Sequence, residues 1–417
     1  MTIQIWCAVA VIVLTIYALV KRIETRMVLF LAGLVMCLIA GSPVAPFKAF
    51  IKGMTNPTLV PAICSAMGFA AVVTASKCDL HLVKALATPL RSLGALLIPV
   101  CTIITFLINI AIMSAAGTAA IPLLIRAGIR PAGAAAAVAG GTMCGLLLNP
   151  GCAHDIYIAQ MAKMELMDFI GWGAPYIVGL FLVSAVGLAL VCIFKYHDHQ
   201  MTPEEMATFE AAEATEFKVN PLKAIAPIIP MGILIVSAIW FPKAGVDVVM
   251  SMIIGVIFIC LITLKTPGEF SKAFFKGLGS GYAQVIGLII AAGVFVAGLQ
   301  ATGAVPAFIE FLKHSNDIAR WGASIGPFLM AAGTGSGEAA IWAFNQAVTP
   351  SAASFGMTSE GLGLLAALAG QFGRTASPLA GAVIIVAGVA RVSPIEVAKR
   401  TWAGMFAAVI VSALILV

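Results

Sequence analysis

The chain has 417 residues, 61% hydrophobic and only 10% charged, with a mean hydropathy of +1.07 and a formal charge of +6. Such a composition excludes an ordinary soluble domain and places the chain in the polytopic membrane class. The basic excess requires no nucleic-acid partner, because basic loops beside membrane spans are what orientation in a bilayer demands.

Residues 1–20 lack a basic leader and a small-residue cleavage site and run into Lys21-Arg22, which predicts a retained first span rather than a signal peptide. Further apolar runs of spanning length lie at 27–40, 59–75, 171–194, 222–241, 246–264, 281–300 and 402–417. Two regions rich in Gly, Ala, Ser and Thr do not parse as simple spans. Each predicts a re-entrant hairpin followed by a broken helix: 93–130 then 131–162, and 321–349 then 361–390. The polar stretch 195–221, carrying Asp198, Glu204, Glu205 and Glu210, predicts a linker with a solvated acidic face. Nine cysteines without a C-x-x-C pair, and His197-x-His199 without a third ligand, predict no metal centre and no cofactor.

The two irregular regions match one another. Asn149-Pro150, Lys163 and Asp168 align with Ser377-Pro378, Arg391 and Glu396 at a spacing of 228, and Ser114 to Ala120 aligns with Thr334 to Ala340 at a spacing of 220. The expected fold is therefore all-α, with two repeats, 1–194 and 222–417. Placing the N-terminus outside puts seventeen of the 24 basic residues on one side of the membrane and six on the other, with Arg374 inside it. This predicts inverted-topology repeats, a cytoplasmic linker, and periplasmic N- and C-termini.

In such an architecture the interruptions meet near the midplane. The stretch from Gly370 to Gly381 breaks an apolar helix with Arg374, Thr375, Ser377 and Pro378. Arginine at bilayer depth costs at least roughly 3 kcal/mol, so it must face a cavity or a partner, and its planar fork suits a carboxylate. Ser114, Thr118, Asn149, Thr334 and Ser336, at the tips and at the first break with Pro150, are candidate hydroxyl, amide or backbone ligands. Glu338 and Asp155 are the acids at depth and His154 the histidine, which makes them candidates for cation coupling. Gly117, Gly335 and Gly337 keep backbone oxygens accessible for sodium, so the coupling cation is H+ or Na+. The run Gly333 to Gly337 lacks the Gly-Lys-Ser/Thr of a phosphate loop, and no nucleophile elbow or H-E-x-x-H motif is present, which argues against nucleotide binding and catalysis.

These residues resemble the DcuC family of anaerobic four-carbon dicarboxylate carriers, within the ion transporter superfamily. The resemblance is carried by Thr334-Gly335-Ser336-Gly337, by Gly373-Arg374-Thr375-Ala376-Ser377-Pro378, by Val392 to Thr401, and by Leu148-Asn149-Pro150 in the first half. It implies transport of succinate, fumarate or malate across a bacterial inner membrane, with hairpin tips and broken helices forming the site and a moving part working against a scaffold, in a homodimer. This chain departs from the family pattern at Glu338, where the family shows Asn, and over Gly151 to Asp155. The expectation is a cation-coupled or exchanging dicarboxylate carrier of alternating access; the alternatives are a cation/proton antiporter and a carrier of another organic anion.

Overall fold

Where lipid surrounds a chain, backbone groups must be satisfied within it, and an apolar run does so as a helix. The computed structural model describes residues 3–21, 23–87, 94–111, 118, 120–201, 218–263, 267–313 and 316–416, and these contain helices and turns with no strand. The first half holds α1 (Ile3–Val20), α2 (Thr25–Ile39), α3 (Ala45–Met54), α4 (Leu59–Ala75), α5 (Cys78–Ala87), α6 (Leu97–Ala111), α7 (Ile121–Arg126), α8 (Pro131–Gly145), α9 (Ala153–Ala162) and α10 (Leu166–Leu190). The second holds α11 (Pro221–Ile225), α12 (Ile229–Trp240), α13 (Val248–Thr263), α14 (Pro267–Gly281), α15 (Gly287–Ala301), α16 (Ala304–Lys313), α17 (Asn316–Thr334), α18 (Gly337–Ala347), α19 (Ser359–Thr375), α20 (Gly381–Ala390) and α21 (Pro394–Ile415). Among the described residues six helical stretches are long and apolar enough to cross a membrane, or seven if α3 and α4, bent by 49°, form one span.

Capping residues set several boundaries. The Glu24 carboxylate accepts from the Met27 amide at the start of α2, Thr358 accepts from Gly361 at the start of α19, and Ser393 from Ile395 at the start of α21. Hydropathy passed over four helices, α3, α5, α14 and α16. α3 carries Lys48 and Lys52, so its window is not apolar enough to register as a span. α14 precedes the expected run at 281–300 and continues through a π turn at Tyr282–Ile286 into α15. There the Arg26 guanidinium donates to the Ala283 carbonyl at 2.7 Å, which occupies one backbone oxygen of the turn.

The two broken helices agree in detail. α9 and α20 start and stop 228 residues apart, as do the starts of α8 and α19 and of α10 and α21. Lys163 and Arg391, also 228 apart, end α9 and α20 in left-handed conformation with φ of 56° each. Packing repeats as well: α8 lies on α6 as α19 lies on α17, and α20 meets α8 as α9 meets α19. In each case a glycine near the end of the first limb, Gly145 or Gly373, presses on the backbone of a phenylalanine, Phe106 or Phe328, where a Cβ would collide with the carbonyl oxygen. Gly373→Ala should therefore sharply lower the yield of monodisperse protein in detergent, while Gly388→Ala, with open space around it, should match wild type. Equal yields would show that α17 and α19 can separate without penalty.

The acidic face predicted for the linker is corrected at its first residue. Asp198 is fully buried, and its carboxylate accepts from Arg400 Nε at 2.7 Å and Nη2 at 2.8 Å. Its backbone oxygen accepts from the Arg130 amide at 2.7 Å. An isolated charge is costly to bury, but here a bidentate partner on α21 is supplied from 202 residues away, which no local pattern reveals. Glu204, Glu205 and Glu210 lie outside the described residues.

Candidate functional site

α18 begins at the turn Gly335-Ser336, where Gly335 has φ of 73° and Ser336 caps the helix by accepting from Ala339 N. This start is held tightly against the second break: a Cβ on Gly335 would lie 2.6 Å from the Leu379 carbonyl, and one on Gly337 would lie 2.7 Å from the Gly370 oxygen and 2.9 Å from Arg374 Cβ. These glycines are needed for close backbone approach. As a result Glu338, in the first turn of α18, faces Arg374 at the end of α19.

Glu338 makes two ion contacts. Its Oε1 accepts from Arg374 Nη1 at 2.8 Å, and its Oε2 lies 2.7 Å from His154 Nε2. His154 is in the first turn of α9, immediately after the first break. One carboxylate therefore joins the first break, the second tip and the second break. The first hairpin is tied in by Asn149, whose Nδ2 donates to the Ile110 carbonyl on α6 at 2.9 Å while its Oδ1 accepts from Gly151 N. Arg374 and Glu338 keep 23% and 29% of their side-chain surface open, whereas His154 is 2% exposed. The guanidinium and carboxylate are reachable by a ligand; the imidazole is sealed behind them.

The other sequence candidates are placed as follows. Thr375 and Ser377 are buried with their hydroxyls turned to the chain: Thr375 donates to the Gln371 carbonyl and Ser377 accepts from Leu379 N. Thr334 donates to Met330 and accepts from Ser336 N. With Ser336, Leu379, Leu19, Ile23, Glu24 and Thr25 it lines a cavity of about 320 Å³. Pro150 and Pro378 stand in the turns that interrupt the two helices. Thr118 is half-buried; Ser114 and Gly117 lie outside the described residues. Asp155 is fully buried, and neither carboxylate oxygen has a hydrogen-bond partner.

Three residues to which the sequence reading gave no role complete the surroundings. Trp342, one turn after Glu338, lies against the His154 ring at 4.8 Å between centroids, and Tyr157 packs edge-on against Trp342 at 5.2 Å. Gln371 is fully buried with both amide atoms unpaired. The unpaired set also includes His154 Nδ1 and Trp342 Nε1. Buried polar atoms usually have partners, so this concentration makes the region the candidate site. Spacing offered one usable signal: Gln371 precedes Arg374 by three residues and His154 precedes Tyr157 by three, each pair on one helical face. Among the described residues no cluster of His, Cys, Asp and Glu forms a metal site.

Interrupted helices of a membrane protein that meet on one partly open ion triad suit a transporter, and the family that this chain matches consists of transporters, not enzymes. The model of the family described as the C4-dicarboxylate anaerobic carrier, DcuC, matches residues 4–417, and the chain belongs to that family. It is 28% identical over 437 residues to the anaerobic C4-dicarboxylate transporter DcuC of Escherichia coli K12, covering 96% of this chain and 93% of that one. An uncharacterized transporter of Haemophilus influenzae is 44% identical over 278 residues, 64% of this chain and 99% of the relative. Among solved structures, the YdaH transporter of Alcanivorax borkumensis, described as having an unusual topology, shares the fold with a TM-score of 0.60 at 15% identity, covering 91% of this chain and 89% of that one.

Proposed function

We propose that the chain carries a four-carbon dicarboxylate such as succinate, fumarate or malate across a bacterial inner membrane, by cation-coupled transport or exchange with alternating access. The observation that carries this reading is the Arg374–Glu338–His154 triad joining three chain interruptions. Arg374 binds a carboxylate already, that of Glu338. A substrate carboxylate reaching Arg374 competes with Glu338, which is then left to His154 and to a cation. Asp155 is the second coupling candidate: an unpaired carboxylate sealed from water is costly as an anion, so it needs a proton or Na+ as partner. Thr334 and Ser336 line the cavity nearest Glu338 in the chain, and the second carboxylate of the substrate would lie toward them. Thr375, Ser377 and Asn149 act through the backbone they hold, and the tip glycines Gly117, Gly335 and Gly337 through the close approach or the carbonyls they permit.

The transport unit is read as two repeats of inverted topology, 1–194 and 222–417, with the hairpins and broken helices moving against the outer spans, the linker 195–221 cytoplasmic, both termini periplasmic and the protein a homodimer in lipid. The 228-residue coincidence of helix boundaries and of the left-handed caps Lys163 and Arg391 supports the repeats. In proteoliposomes, labelled succinate should accumulate saturably under a proton or sodium gradient or in exchange for internal succinate. Failure in all three formats would remove the dicarboxylate assignment in favour of a cation antiporter or another anion. Glu338→Gln should keep substrate exchange but lose the dependence of net uptake on the coupling gradient; retained dependence would clear Glu338 of coupling.

A further inference from the structure

A second cavity, of about 400 Å³, lies outside the triad. Its lining includes Lys52 in the last turn of α3, Asn56 just before α4, Tyr157 and Gln160 on α9, Gln300 on α15 and Gln346 on α18. Lys52 is the one charged side chain of that lining, and no carboxylate contributes to it. The amides are oriented by bonds of their own. Asn56 Oδ1 accepts from Thr58 N at 3.0 Å and Leu59 N at 2.9 Å, which commits its oxygen to the backbone and leaves its NH2 for the cavity. Leu59, the first residue of α4, lines the same wall, so the positive end of that helix dipole adds to the lysine. Opposite, Gln346 spends its NH2 on the Ile289 carbonyl at 3.3 Å, which leaves its oxygen as an acceptor. One wall is built for an anion, the other for water or a hydroxyl.

The two cavities lie along one helix pair. α2 and α15 run parallel: Arg26 meets Ala283 just before α15, Gly33 abuts Val294, and Met36 abuts Gly298. Glu24 and Thr25, at the start of this pair, line the cavity that reaches Thr334 and Ser336, and the Lys52 cavity runs along α15 from Ile289 to Gln300. Tyr157, Trp342, His154 and Glu338 are in continuous contact. Tyr157, at one end of that row, lines the Lys52 cavity, and Glu338, at the other, lies two residues from Ser336 of the first cavity.

We propose that the Lys52–Asn56 cavity is a second carboxylate subsite, a station where a dicarboxylate is held before it reaches Arg374, joined to the triad through the Tyr157–Trp342–His154 contacts. The proposal rests on the dicarboxylate reading of the triad. Lys52 supplies the charge, Asn56 and the start of α4 fix the carboxylate, and the glutamines hydrate the rest of the chain. Lys48, on the same helix, is exposed and does not line the cavity, which makes it the control for general surface charge.

The test is labelled succinate uptake into proteoliposomes by wild type, Lys52→Gln and Lys48→Gln. Lys52 is exposed, so its replacement leaves the packed core intact. Lys52→Gln should raise KM about tenfold, the scale of one charge-assisted hydrogen bond, with the maximal rate within about twofold of wild type, while Lys48→Gln leaves both unchanged. An unaltered KM in Lys52→Gln, or an equal rise in both variants, overturns the subsite and leaves the function of the triad standing. Absence of uptake by wild type overturns the dicarboxylate reading and this subsite together.

Discussion

Arg374→Lys should reduce succinate uptake at saturating gradient at least about a hundredfold, with the variant eluting as wild type from size exclusion. Lysine keeps the charge but loses the planar fork with which arginine can meet a substrate carboxylate through two donors, so the two are not interchangeable there. Arg374 Nη1 meets one oxygen of Glu338 at 2.8 Å while His154 takes the other at 2.7 Å; a lysine of different reach and geometry would be drawn to the acid and present less to a substrate. A loss on the order of 3 kcal/mol fits a charge-assisted pair left unmade in a site of restricted water access. Unchanged uptake and KM would show that Arg374 only balances Glu338 and that the substrate is held elsewhere.

Arg400→Met alone should lower stability by about 3–5 kcal/mol, because it leaves the carboxylate of Asp198 buried without its partner. Arg400 is 7% exposed and Asp198 fully buried, and the Tyr196 ring lies 4.1 Å from the guanidinium. Replacing both as Asp198→Asn with Arg400→Met should cost clearly less than the single change, since no unpaired charge remains. Thermal unfolding in detergent of the four members of the cycle measures the coupling. Additive effects would mean that water reaches the pair and that the join between the linker and α21 is held by backbone contacts alone. Asp198 also receives the Arg130 amide on its backbone oxygen, so a shift of the segment around Asp198 would loosen the start of α8, and with it the first broken helix.

Much of the fold was legible because lipid imposes simple rules. The run at 59–75 became α4 with the same ends, and the two regions expected to be interrupted hold helices at 131–145 and 153–162 and at 359–375 and 381–390. Helices whose apolar face is interrupted by charge were not legible by hydropathy: α3 carries two lysines yet contributes the wall of a cavity. At the site, Arg374, Glu338 and His154 were singled out from chemistry that lipid would reject. Trp342 and Tyr157 were not, since an aromatic residue on an apolar helix looks like ordinary core until its neighbours are known. Thr375, Ser377 and Asn149 show the converse: side chains expected to meet a ligand are engaged with nearby backbone, as short polar side chains at chain breaks tend to be.

The Gly370-to-Gly381 stretch defines the balance. Composition and spacing alone determined that an arginine and a proline interrupt a membrane helix there, that Asn149-Pro150 is its counterpart, and that the counterpart lacks a cation. Those are one-dimensional facts, enforced by the cost of polar groups in hydrocarbon. Only the tertiary structure decided that Arg374 reaches Glu338 rather than Asp155, that the same carboxylate reaches His154 from the other half of the chain, and that Asp155 is left without a partner. Partner choice depends on the packing of α18 against α19 and α9. That packing is set by backbone approach at Gly335 and Gly337, distances of a few ångströms that sequence spacing does not encode.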